Sequence, residues 1–138
     1  MSLRKGLAIG LILLFIVTSG IPIAIAEEPA LLKTTIIGGF GLTVKVKNVG
    51  NMTATNITYN CLVTGNLTHR NKTILRKLID ITPNEEIILH HIFFFIGNIM
   101  VGAGPLSYFD GEEFRYFFTN IHYAFCVGPF VKLLISNQ

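Results

Sequence analysis

An asparagine followed two residues later by threonine is the commonest chemical signal in this chain. It occurs four times within 23 residues, as Asn51-Met52-Thr53, Asn56-Ile57-Thr58, Asn66-Leu67-Thr68 and Asn71-Lys72-Thr73. The amide nitrogen of such an Asn can accept a glycan where its loop is accessible, the hydroxyl two residues on assisting the transfer. All four triplets lie at or beside expected turns, which makes Asn51, Asn56, Asn66 and Asn71 glycosylation candidates, Asn66 and Asn71 the best placed. Cys61 and Cys126 are the only cysteines. In an exported protein they admit one disulfide, which would stabilise by roughly 4 kcal/mol in the chain-entropy model. The other reading is two buried thiols acting as small core residues.

The remaining reactive groups do not assemble into a catalyst. His90 and His91 are adjacent, so on a strand they point to opposite faces and cannot easily share an ion. His69 and His122 have no Cys or His at ligand spacing. Asp110, Glu112 and Glu113 offer too few oxygens from one loop for tight calcium. Ser19 and Ser107 lack a nucleophile motif, and no glycine-rich phosphate loop is present. The expectation is therefore no catalytic residue, no metal and no cofactor. The aromatic residues at 93–95, 114, 116–118 and 125 are rich enough for a sugar or partner site, but in strands they fit a core.

The chain has 138 residues, enough for one domain. Arg4 and Lys5 precede the apolar run Leu7–Val17, and small residues Ala24 and Ala26 follow. That pattern is a secretory signal with cleavage after Ala26, so the expected division is a leader at 1–26 and a domain at 27–138. The other reading is an uncleaved hydrophobic helix, since Leu7–Ala26 is long enough to cross a bilayer. Beyond residue 26, nine bases face eight acids, a net charge of +1. The bases are scattered, which excludes a nucleic-acid footprint.

Strands must carry whatever the domain does. Phe40, Leu42, Val44 and Val46 alternate with polar or small residues. After Asn48, Gly50 and Asn51 the alternation resumes with Ile57, Tyr59, Cys61 and Val63. Period two with a turn between predicts two antiparallel strands, each half-buried. Lys72–Ile81 reads as a third strand, and Thr82–Glu86 as a proline turn. Ile87–Ile96 is almost wholly apolar and predicts a strand buried on both faces. Ile99–Ala103 reads as a short strand ended by Gly104-Pro105, Asp110-Gly111 signals a hairpin, and Phe114–Thr119, Ile121–Val127 and Phe130–Ile135 complete the set. The expected class is all-β, an Ig-like antiparallel β-sandwich of about seven strands after an N-terminal hydrophobic signal or anchor helix.

The phrase Val44-Lys45-Val46-Lys47-Asn48-Val49-Gly50-Asn51, followed by Ala54-Thr55-Asn56-Ile57-Thr58 and the turn Ile81-Thr82-Pro83-Asn84-Glu85-Glu86, resembles Ig-like domains of the CARDB (cell-adhesion-related) type on small exported archaeal proteins. The resemblance spans Leu42–Ala103, and residues 106–125 depart from it in being aromatic and acidic. It implies a non-catalytic, secreted or cell-surface domain that mediates adhesion, binding or assembly. The implied partners are a protein or glycan at the cell envelope, self-association, and a membrane contact through residues 7–26. The Arg4-Lys5-Gly6 start is also similar to an archaeal prepilin leader. A cut after Gly6 would make the chain a pilin- or archaellin-like filament subunit that keeps its hydrophobic helix.

Overall fold

The computed structural model describes residues 27–65, 71–117 and 119–135, so the expected leader and its helix at 1–26 lie outside the described residues. The domain is all-β and antiparallel. Its strands are β1 (Leu32–Asn48), β2 (Thr55–Gly65), β3 (Asn71–Lys77), β4 (Glu86–His91), β5 (Phe95–Phe109), β6 (Phe114–Tyr116), β7 (Ile121–Gly128) and β8 (Phe130–Ile135). They form one sheet in the order β3-β2-β5-β7-β8-β1-β4, with β6 added on β5. The sheet curls into a half-barrel, so the walls face each other as in a sandwich but stay joined through β7 and β8.

Glycine explains why one sheet replaces two separate ones. From the sequence, Thr34–Ile37 reads as a short first edge strand running into Gly38-Gly39, separate from the alternating run at Phe40. Instead β1 runs through, bending where Gly39 and Gly41 take φ of 149° and 81°, values that side-chain-bearing residues rarely adopt. Before the bend β1 pairs with β8 at Gly39 and Phe40; after it, β1 pairs with β4 from Leu42 to Lys47. One strand thus serves both walls. Gly104-Pro105 likewise does not end a strand: β5 passes through it, and its register against β2 shifts beside it.

The two alternating runs pack as their period requires. Leu42, Val44, Val46, Ile57, Tyr59, Cys61 and Val63 are all fully buried in one core. The Asp110-Gly111 hairpin is present, with Phe109 opposite Phe114 and Gly111 at φ 106°. The proline turn is closed by Glu85, whose carboxylate accepts from the Thr82 amide and hydroxyl at 2.9 Å.

Asn48 fastens one end of the sheet. Its side chain is fully buried. Its Nδ2 donates to the carbonyls of Met52 at 2.7 Å and Ile81 at 2.9 Å, and its Oδ1 accepts from the amides of Gly50 at 3.0 Å and Leu31 at 3.2 Å. Gly50 is required beside it, because a Cβ there would collide with the backbone of Pro29–Leu31. The segments tied together are the lead-in to β1, the turn after it, and the bridge between Ala54 and Ile81. Across the core, Tyr108 Oη accepts from the Leu32 amide at 3.2 Å and donates to the Ala30 carbonyl at 3.1 Å.

Replacing Asn48 with Ala leaves these backbone groups without partners and is expected to cost about 3 kcal/mol in urea unfolding. Asn48→Asp should cost more than Asn48→Ala, because it sets a buried carboxylate against two carbonyls. Equal stability of all three proteins would contradict this assignment.

Candidate contact surface

Across the open side of the sheet, β2 and the edge strand β4 are linked by the only buried imidazole–phenol pair among the described residues. Tyr59 on β2 and His91 on β4 share a hydrogen bond of 2.7 Å between Oη and Nε2, and their rings stack. Arg76 lies 5.8 Å above the Tyr59 ring, and Lys72 Nζ donates to the Ile92 carbonyl at 3.1 Å. Burial, with the charge of Arg76 second, lowers the His91 pKa from 6.5 to about 4. Burial likewise pushes the Tyr59 phenol and the Cys61 thiol up. A protonated thiol and a neutral ring held by a phenol make a closing contact between β2 and β4 and supply no activated nucleophile.

The other candidate residues fall far apart. Cys61 and Cys126 are both buried and free. Cys61 pairs opposite Ala103 and Cys126 opposite Gly97, six residues away along β5 on the far side of that strand. That offset is on the order of 20 Å, whereas a disulfide needs Cα atoms within about 7 Å, so the structure corrects the expected pairing. Asn51, Asn56 and Asn71 are exposed, Asn56 at φ 51°, while Asn66 lies outside the described residues. His69 lies outside them too, His90 bonds Thr43 Oγ1 at 3.0 Å, and His122 lines a cavity of about 160 Å³ between β1, β5 and β7. Among the described residues no three metal-ligating side chains come together. Asp110 is drawn inward by the amides of Glu112 and Glu113 and by Arg115 Nε at 2.6 Å, and these bonds hold its carboxyl down to about 2. It shapes a hairpin.

The largest departure from the expected burial lies on the convex face of β5, β7 and β8. The run Ile87–Ile96 is not buried on both faces: Leu89, His91, Phe93 and Phe95 turn inward, while Ile88, Ile92, Phe94 and Ile96 turn outward. On β7 the inward residues Ala124 and Cys126 are small, and the outward ones are Ile121, Tyr123, Phe125 and Val127. Register then joins these outward residues across strands. Ile96 pairs with Val127, Val127 with Phe130, and Phe130 with Phe40, whose ring it meets edge-on at 5.6 Å between centroids. One row on, Asn98 pairs with Phe125 and Phe125 with Lys132; the next pairs Met100 with Tyr123. Ile96, Val127 and Phe130 are 65%, 59% and 60% exposed, and Phe94 beyond them is 74% exposed.

Eight of the ten outward positions on this plate are therefore apolar or aromatic, Lys132 is its single charge, and no carboxylate stands on it. Strands spaced about 4.8 Å apart over some seven residues give it a projected footprint of roughly 350 Å², less than its accessible surface. That already matches the largest apolar patch a typical monomer shows, before Phe40 and Phe94 extend it. The opposite convex wall differs: Lys45 pairs with Glu86 at 3.8 Å there, beside Thr43, Lys47 and His90. Sequence reasoning assigned the aromatics of 93–95 and 114–125 to a core. Phe93 and Phe95 do enter it, but Phe94, Phe114, Tyr116, Phe117 and Phe125 do not. The available signal was β7 itself, where Ile121, Tyr123, Phe125 and Val127 share one face and His122 with the small Ala124 and Cys126 shares the other.

Comparison with protein-family models, curated proteins and solved structures finds no match to this chain.

The Tyr59–His91 link makes a pH prediction. With His91 held near 4 against an ordinary 6.5, the unfolded chain takes up a proton that the folded one resists. The His91 contribution is thus present above pH 6.5 and is lost as pH falls from 6.5 towards 4. Urea midpoints measured across that window should fall in the native protein and flatten in His91→Gln; an unchanged slope would refute it.

Proposed function

We propose that this chain is a non-catalytic, exported domain that acts by contact at the cell envelope, and that it docks through the outward face of β5, β7 and β8. The observation that carries the reading is the plate itself. Bulky apolar side chains stand outward on all three strands, and on β7 they do so while only Ala124 and Cys126 enter the core, an arrangement that contributes little to folding and creates a surface in need of cover. The leader-like residues 1–26 support export, to the outside or to the outer face of a membrane. The Ig-like, adhesion-related character belongs to the same reading, supported by two walls facing each other over one core. Glycosylation at Asn51 or Asn56 is compatible with it. Both sit at the end of the sheet held by Asn48, so a glycan there would stand clear of the plate.

A photo-crosslinking residue placed at Tyr123 in the full chain, in its own cells, should form adducts on illumination. The same residue at Tyr116, which is 78% exposed but lies on β6 outside the plate, should not. Equal or absent adducts at both positions would overturn the reading.

A further inference from the structure

We infer that the partner of this plate is a lipid surface bearing anionic headgroups, on which the sheet lies face down; the inference rests on the contact reading above. Charge placement argues for it first. All eight carboxylates of the chain belong to segments that meet at the Asn48 end. Glu28 accepts from the Asn51 amide, Glu85 from the Asn48 amide and Asp110 from the Ala30 amide through their carbonyls, and Glu86 pairs with Lys47. Glu27, Glu112 and Glu113 are their chain neighbours, and Asp80 precedes Ile81, whose carbonyl Asn48 holds. The plate lies towards the other end of β5 and carries Lys132 amid apolar residues. An anionic surface attracts that ammonium, and no carboxylate on the plate opposes the approach.

Charge and topology select lipid over a second copy of the chain. Two such plates face to face bring together two Lys132 ammonium groups, with no carboxylate on either face to pair them. A bilayer needs no matching partner surface and takes up aromatic and branched side chains at its interface. The sheet does not span the bilayer: β3 and β4 are its free ends and form no ladder with each other, and only closed barrels or helices satisfy every backbone group in hydrocarbon. The chain therefore lies on the surface with Phe125, Val127 and Phe130 entering the headgroup boundary.

The chain contains no tryptophan, so Phe125→Trp provides a single fluorescent reporter on the plate in the full-length protein, with Tyr123→Trp as a second should the first fold poorly. The probe is vesicles of phosphatidylcholine, with or without phosphatidylglycerol, carrying brominated acyl chains. The expected result is quenching of the plate reporter by the anionic vesicles, with an apparent partition about fivefold weaker when Lys132→Gln is added, the factor that one interfacial charge is worth. The Lys132→Gln comparison is made in the same full-length chain, so any contribution of residues 1–26 is common to both proteins. An unquenched reporter overturns the inference. So does quenching indifferent to both headgroup charge and Lys132, and so does a reporter already shielded in buffer by a dimer of native mass. An unquenched reporter together with crosslinks at position 123 would remove lipid as the partner and leave the contact reading standing; loss of both would remove the contact reading itself.

Discussion

The buried side chain of Asn48 is the constraint from which the architecture follows. It completes two donors and two acceptors on backbone from three separate segments, at the point where β1 ends. A buried amide with all its bonds made fixes geometry more tightly than apolar contact does, because each unmade bond would cost the full desolvation of its partner. With that end fixed, β1 can run back through its glycine bend and lend its two halves to different neighbours. The half-barrel then closes on the far side of the core through Tyr59 and His91. Polar contacts of Asn48 at the end of the sheet, of Tyr108 across the core and of Tyr59 with His91 on its open side hold a core that is otherwise aliphatic and aromatic.

That closure leaves the sheet with one inside and one outside, and the outside is uneven. The β1–β4 wall carries threonine, lysine and glutamate, as a solvated strand face should. The edge strand β3 carries Lys72, Arg76 and Lys77, which discourage pairing with another edge. Elsewhere outward apolar residues such as Leu75 and Ile88 stand among charged neighbours, and only the middle of the sheet, above Ala124, Cys126 and Gly97, gathers them into a continuous face. A chain that blunts its edges yet leaves a flat apolar face bare separates unwanted association from wanted contact. The same separation places every carboxylate at the Asn48 end.

Much of the fold was legible because period two is a strong signal. Leu42–Val46 and Ile57–Val63 gave both strands and the correct inward faces, and Asp110-Gly111 gave its hairpin. Two features were not legible, for identifiable reasons. Gly38-Gly39 and Gly104-Pro105 read as punctuation between strands, but in this sheet they lie at bends that strands pass through. Sequence patterning also cannot tell a strand buried on both faces from one that is apolar on an exposed face, since both have bulky residues at every position. The contact surface was hidden by that ambiguity, and the cysteine pairing failed because parity of the count says nothing about offset along β5.

The central claim is that the outward face of β5, β7 and β8 is held in reserve from folding. The most direct test is the unfolding free energy of a triple variant, Phe125→Thr, Val127→Thr and Phe130→Thr, which puts a strand-favouring β-branched residue at each position and removes the centre of the apolar plate. Outward cross-strand pairs contribute only tenths of a kcal/mol each, so the variant should lie within about 2 kcal/mol of the native protein. A loss of several kcal/mol would show that these side chains pack within the folded chain, and would contradict the account.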